Sequence, residues 1–150
     1  MAGQTSRRGL VVAAGFAVAA ATIAGTAQAT PPGPPPAAGR GGPPPAWIEA
    51  TGASHWLAFS GYCWNSACAR PRSPSTRTDL PVVRIAPGRT ARIHFGFAAR
   101  SIGVSVLGAR GNAPLRAGRI VSWRVARKGI SVISATAPGH GTVSYVVVIS

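Results

Sequence analysis

Acidic side chains are almost missing from this sequence: Glu49 and Asp79 are the only two among 150 residues. Lysine is as scarce, since Lys128 is the single one and the other basic residues are all arginine. Soluble helices ordinarily carry Glu and Lys on their wet faces. Their scarcity, beside abundant Val, Ile, Thr, Ser and Gly, argues for strands joined by turns. Two carboxylates also leave little material for general acid–base chemistry, and neither H-E-x-x-H nor G-x-S-x-G occurs. The residues therefore favour a non-enzymatic protein, although a Ser/His/Asp set drawn from Asp79, His140 and a serine is open on the sequence. His55, His94 and His140 stand on different segments without a ligand-spaced neighbour, and Met1 is the only methionine. A blue-copper type of site lacks its ligands, so neither a metal nor a cofactor is expected.

What is present divides the chain into three parts. Arg7 and Arg8 precede an uncharged, alanine-rich run over 9–24, followed by Ala27, Gln28 and Ala29, the small-residue pattern of a cleavage site. This reads as a secretory signal peptide over 1–29. The run is shorter than the ~20 residues a spanning helix needs, so no integral membrane span is expected in the mature chain. Ser6 to Val11 also has the look of a twin-arginine leader, without the usual Phe at Leu10, and the export route stays open. The expected location is secreted, extracellular or cell-envelope.

Residues 30–46 follow, and eight prolines and four glycines take 12 of the first 16 positions, TPPGPPPAAGRGGPPP. With nothing large and apolar to bury, the stretch is expected as a disordered spacer of polyproline character, or else as a proline-rich ligand for another domain.

The third part, 47–150, carries short apolar runs separated by turn signals. Strands are expected over 47–50 and 55–60 as a hairpin, then 81–86, 90–97, 102–107, 119–125, 130–135 and 142–149. The segment 90–97 alternates cleanly, with Ala91, Ile93, Phe95 and Phe97 on one face and Thr90, Arg92 and His94 on the other. Seven or eight strands with turns between them predict an all-β domain, an antiparallel sandwich of immunoglobulin-like appearance or a small barrel.

Cys63 and Cys68 are the only cysteines, and an even pair in an exported chain reads first as a disulfide. A metal site would need reduced thiolates and converging histidines, and four-residue spacing alone is weak support for one. Trp56, Tyr62 and Trp64 surround the pair, and Arg70, Arg72 and Arg77 follow in an exposed loop over 69–80. Aromatic faces beside guanidinium groups suit stacking on sugar rings or bases while phosphate or carboxylate is held. Tyr62, Trp64, Arg70, Arg72 and Arg77 are therefore the candidate binding residues. Equally, Trp56 and Trp64 are candidates for packing against the disulfide, and Trp47 and Trp123 for the core.

Removing Arg7 and Arg8 leaves 14 basic residues against two acidic ones, a formal charge of +12 on the mature chain. Such charge draws polyanions, and anionic wall polymer or acidic polysaccharide is the expected partner, without specific recognition of nucleic acid. The competing reading is arginine used for solubility alone. A third is a module that binds an extracellular protein by inserting the disulfide-pinned Trp64 loop.

Gly61-Tyr62-Cys63-Trp64 with Cys68-Ala69, then Val82-Val83-Arg84-Ile85 with Pro87-Gly88, and finally Val143-Ser144-Tyr145-Val146, resemble small secreted β domains of exported Gram-positive proteins. The resemblance covers about 60–150. Those domains often carry an aspartate where this chain has Arg70. It implies fold and export, and no established activity.

Overall fold

The computed structural model describes residues 29–150, so the expected leader, apart from Ala29, lies outside the described residues. Ten strands form in order: β1 (Ala46–Ala50), β2 (Ala53–Trp56), β3 (Ala58–Trp64), β4 (Ala67–Ala69), β5 (Val82–Val83), β6 (Thr90–Val106), β7 (Ala113–Leu115), β8 (Gly118–Arg124), β9 (Gly129–Ala137) and β10 (Gly141–Ile149). The only helical turn among them is the 3₁₀ segment Pro74–Thr76. No helix among the described residues is long and apolar enough to cross a membrane. The strands make one sheet in the order β2-β1-β6-β9-β10-β3-β4, with β8 and β7 added on β6 and β5 on β10. All pairings are antiparallel except β5 on β10, and the sheet curls as a half-barrel.

The curl depends on β6. Its first half pairs with β1 and β8, and its second half with β9 and β7. Between the halves the register shifts, and Ser101 takes a positive φ of 44°. The two strands expected over 90–97 and 102–107 are thus one bent strand of 17 residues. The interval between them holds no glycine or proline, and Ala99 continues the inward alternation. Such an irregularity turns a strand sharply without ending it. The expected 55–60 strand does the opposite and breaks at Leu57, whose fully buried side chain and N–H bond to the Ala46 carbonyl (2.9 Å) pull it out of line. β4 and β7, three residues each, were not expected from the sequence.

Inward positions of every long strand meet in one core: Ile48, Ile93, Phe95, Phe97, Val121, Trp123, Ile133, Val143, Val147 and Ile149. Tyr145 sits at its centre, with Phe59 and Phe95 at ring distances of 5.4 and 6.0 Å. Its hydroxyl donates to the Pro44 carbonyl at 2.7 Å. Burial pushes the phenol well above the ordinary tyrosine value of about 10. The unfolded chain therefore ionises Tyr145 first as pH rises, and the folded state binds more protons. Stability from this group is full below about pH 10 and declines above it. Tyr145→Phe should abolish that alkaline slope and, by leaving the Pro44 carbonyl without its donor, cost about 1–3 kcal/mol at neutral pH in a denaturant titration.

Pro44 belongs to the segment expected as a spacer. In the structure that segment has partners: Pro43 is fully buried, Pro44 packs on Gly96, and the Trp56 indole N–H donates to the Gly33 carbonyl at 3.2 Å. β1 begins at Ala46, inside the expected spacer. Proline rings are themselves apolar bodies of fixed φ, so a proline run packs where the fold supplies a groove.

Candidate functional site

The cysteine motif folds as a hairpin. Asn65 and Ser66 both have positive φ (45° and 70°), the two-residue turn that matches strand twist, and Asn tolerates that conformation better than most residues. Cys63 then faces Cys68 directly and the two are disulfide-bonded, which the sequence led one to expect. Closing so short a loop contributes about 2 kcal/mol in the chain-entropy description. Reduction of the folded chain should lower its unfolding free energy by about that amount.

The pinned turn builds one wall of an open cleft of about 500 Å³, whose lining includes Pro44, Trp64, Phe97, Arg100, Arg119 and His140. Trp64 is only 5% exposed; its ring tilts against Phe97 at 4.9 Å and is stacked by His140 at 5.2 Å. Asn65 fixes His140 twice, through a backbone bond from Asn65 N–H to the His140 carbonyl (2.8 Å) and a side-chain contact of Oδ1 with Nδ1 (2.9 Å). With Oδ1 accepting, the imidazole donates through Nδ1 and keeps Nε2 for a ligand. Arg119 donates to the Gly96 carbonyl at 3.3 Å, and Arg100 is exposed beside it. The cleft thus has a floor of largely covered aromatic rings, with the exposed His140 imidazole and two guanidinium groups at its margin. Sequence reading named His140 only for a hydrolase-type set and missed Arg100, because nothing in one dimension pairs a residue of the β9–β10 turn with Asn65, 75 positions away.

Tyr62, Arg70, Arg72 and Arg77 do come together, around a smaller cleft of about 270 Å³ that Phe59 also lines. Trp64 does not join them, since its buried ring extends over Phe97 instead. A tip that inserts Trp64 into a partner has no exposed indole to insert; the turn presents Asn65 and Ser66. Arg77 is committed internally. It forks onto Asp79 through Nε (2.9 Å) and a terminal nitrogen (2.6 Å) and donates to the Phe59 carbonyl. The pair raises the Arg77 pKa and holds the Asp79 carboxyl below its ordinary range. Arg77 therefore anchors the loop, and Arg70 and Arg72 are its exposed charges.

Trp47, expected in the core, lies half-buried on the outer face, because Ala46, Ile48 and Ala50 take the inward positions of β1. Glu49, two residues on, shares its outward parity, and that was the available signal. Register sets Trp56, Trp47, His94 and Ile120 in one row across β2, β1, β6 and β8. Trp47 and His94 stack at 3.6 Å with a 7° interplanar angle, and Ile120 is 63% exposed. Trp123 is in the core as expected.

His94 lies 3.4 Å from Glu49, and Asp79 is taken by Arg77, so both carboxylates are engaged. Of the 14 described basic residues, every one but Arg77 is exposed and without a carboxylate partner among the described residues. No group of three His, Cys, Asp or Glu side chains gathers to hold a metal among the described residues.

The fold and surface define an all-β half-barrel domain with a basic exterior and an aromatic-lined cleft. No protein-family model, curated protein or solved structure matches the chain.

Proposed function

We propose that this is an exported domain of the cell envelope or extracellular space that binds anionic polymer, wall phosphate chains or acidic polysaccharide, without catalysing a reaction. The observation that carries the reading is the charge arrangement. Thirteen exposed basic groups face solvent unpaired, while both carboxylates are spent internally. Charges that serve only solubility require no such one-sided composition, and mixed signs serve as well. The cleft over Trp64, with Arg100, Arg119 and His140 around it, is the position this reading assigns to one anionic sugar unit.

Secretion belongs to the same reading, supported by the leader-like pattern over 1–29 and by an oxidised cysteine pair, which suits an oxidising compartment. Kinship with the small Gram-positive exported β domains, and a sandwich-like layout of immunoglobulin type, are parts of it too. The latter is supported by β6 pairing with β1 and β8 along its first half and with β9 and β7 along its second.

Co-sedimentation tests the reading. The mature chain should pellet with wall fragments that carry phosphate polymer and stay in solution with fragments stripped of it. Equal pelleting on both would remove the polymer as the partner.

A further inference from the structure

Trp56, Phe59 and Tyr62 follow one another along β2 and β3, and the chain's own proline-rich segment lies along all three. The Trp56 indole N–H donates to the Gly33 carbonyl. Pro36 and Ala37 line one cleft with Trp56 and Phe59, and Ala37 to Gly39 line the next with Phe59 and Tyr62. A tight turn follows, closed by Gly42 N–H on the Gly39 carbonyl (2.9 Å), with Gly41 at φ +76°. A Cβ at Gly42 would meet the Ala38 Cβ at 2.6 Å and the Tyr62 hydroxyl at 3.0 Å. Beyond it Pro43 is buried and the Tyr145 hydroxyl takes the Pro44 carbonyl.

These contacts have a common chemistry. A polyproline helix makes no internal hydrogen bonds, so its carbonyls are free, and aromatic grooves with an indole or phenol donor read them. Trp56 supplies such a donor to Gly33, and Pro36 lines a cleft with the Trp56 and Phe59 side chains, while Tyr145 holds the Pro44 carbonyl from within the core. We propose that this groove is a receptor for proline-rich segments of other polypeptides, held closed in the isolated chain by its own residues 33–45. The partner's chemistry follows from the rim. Arg70 and Arg72 border the cleft that Gly39 lines, yet the residue the strap places next to Gly39 is Arg40. A partner segment with an acidic residue at that position matches the groove better than the strap does. This inference stands without the polymer-binding reading, because its contacts to the Gly33 carbonyl and the aromatic side chains are uncharged; only the preference for an acidic residue uses Arg70 and Arg72, which that reading also counts.

The test uses the whole mature chain, isotope-labelled to follow the Trp56 indole resonance, and two synthetic probes. One is the 30–45 segment; the other is the same peptide with Arg40→Glu. In the native chain a tethered strap competes at an effective concentration of about millimolar, so either probe should bind weakly. Gly42→Val should shift the Trp56 indole resonance towards solvent values and tighten binding of the 30–45 probe by about tenfold or more. The Arg40→Glu probe should bind tighter still. Trp56→Phe added to Gly42→Val keeps the ring, removes the donor and should weaken the probe again. Should Gly42→Val misfold, Pro36→Gly with Ala38→Gly loosens the strap without touching a strand and carries the same expectations. A released chain that pairs with a second copy, and is separated by the probe, gives the same answer, since the second copy's strap is then the proline-rich segment. A released strap with no gain in probe binding overturns the proposal. So does a Trp56 resonance that neither release variant moves.

Discussion

Binding of the mature chain to double-stranded DNA, used purely as a reference polyanion, is expected to weaken by about 10³- to 10⁵-fold between roughly 50 and 200 mM salt, and to do so equally for two unrelated sequences. That range corresponds to about six to ten neutralised phosphates, a number that 13 exposed, unpaired basic groups spread over the strands and loops supply in several ways. Single substitutions then sort the charges. Arg92 and Arg124 both face outward, with Arg92 opposite Ser122 and Arg124 opposite Thr90, which makes them diagonal neighbours on one face. Replacing either by Ala should reduce the slope of log affinity against log salt by about 1. Arg77→Ala should leave the slope nearly unchanged, because that guanidinium is already neutralised by Asp79, although the loop it anchors will loosen. A titration in filter binding or fluorescence anisotropy gives the slope directly. A slope near zero would sink the polymer-binding reading, and so would a strong preference between the two sequences, which general electrostatic attraction does not produce.

The largest effect on stability is expected at Gly141. It opens β10, pairs with Trp64 on one side and Ala137 on the other, and has φ +137°, where side chains are strained. A Cβ there would overlap the Cys63 carbonyl, which is backbone and held by the disulfide hairpin. Gly141→Ala combines backbone strain of about 1–3 kcal/mol with overpacking of about 1–3 kcal/mol, so a loss of about 2–6 kcal/mol is expected. Gly139, two residues earlier in the same turn, has φ +80° and open space around its Cα. Gly139→Ala therefore bears the conformational term alone, about 1–2 kcal/mol. Urea unfolding of the two variants makes the comparison. Equal losses would mean that strand β10 simply moves away from Cys63 and that the close approach of the two backbones is not required for stability.

Both experiments probe features that differ in how far the sequence announces them. Clean period-two alternation placed 90–97 on a strand, and short apolar runs bounded by turn signals placed 119–125, 130–135 and 142–149, since both patterns are local whatever the strand pairs with. The bend in β6 left no such trace: a register shift needs neither glycine nor proline, and Ala98 to Ser101 look like ordinary strand residues. The cysteine pair was legible because a two-residue turn brings such positions opposite each other locally. Tyr62, Arg70, Arg72 and Arg77 were legible for the same reason, being close in sequence. Which of those arginines is free was not, because the Asp79 fork and the Phe59 carbonyl are matters of side-chain geometry.

The amino-acid sequence by itself determined that this chain is β-built, basic and joined at Cys63 and Cys68, because composition, alternation and short-range closure are local properties. Tertiary structure alone decided that Trp64 faces inward while Trp47 faces out, and that Asn65 holds His140 over the Trp64 ring. It alone decided, too, that the proline-rich stretch packs on the domain, with Pro43 buried and Gly33 and Pro44 held by Trp56 and Tyr145. Each of these depends on groups brought together from distant positions, whose pairing is fixed by strand register and by where the sheet curls.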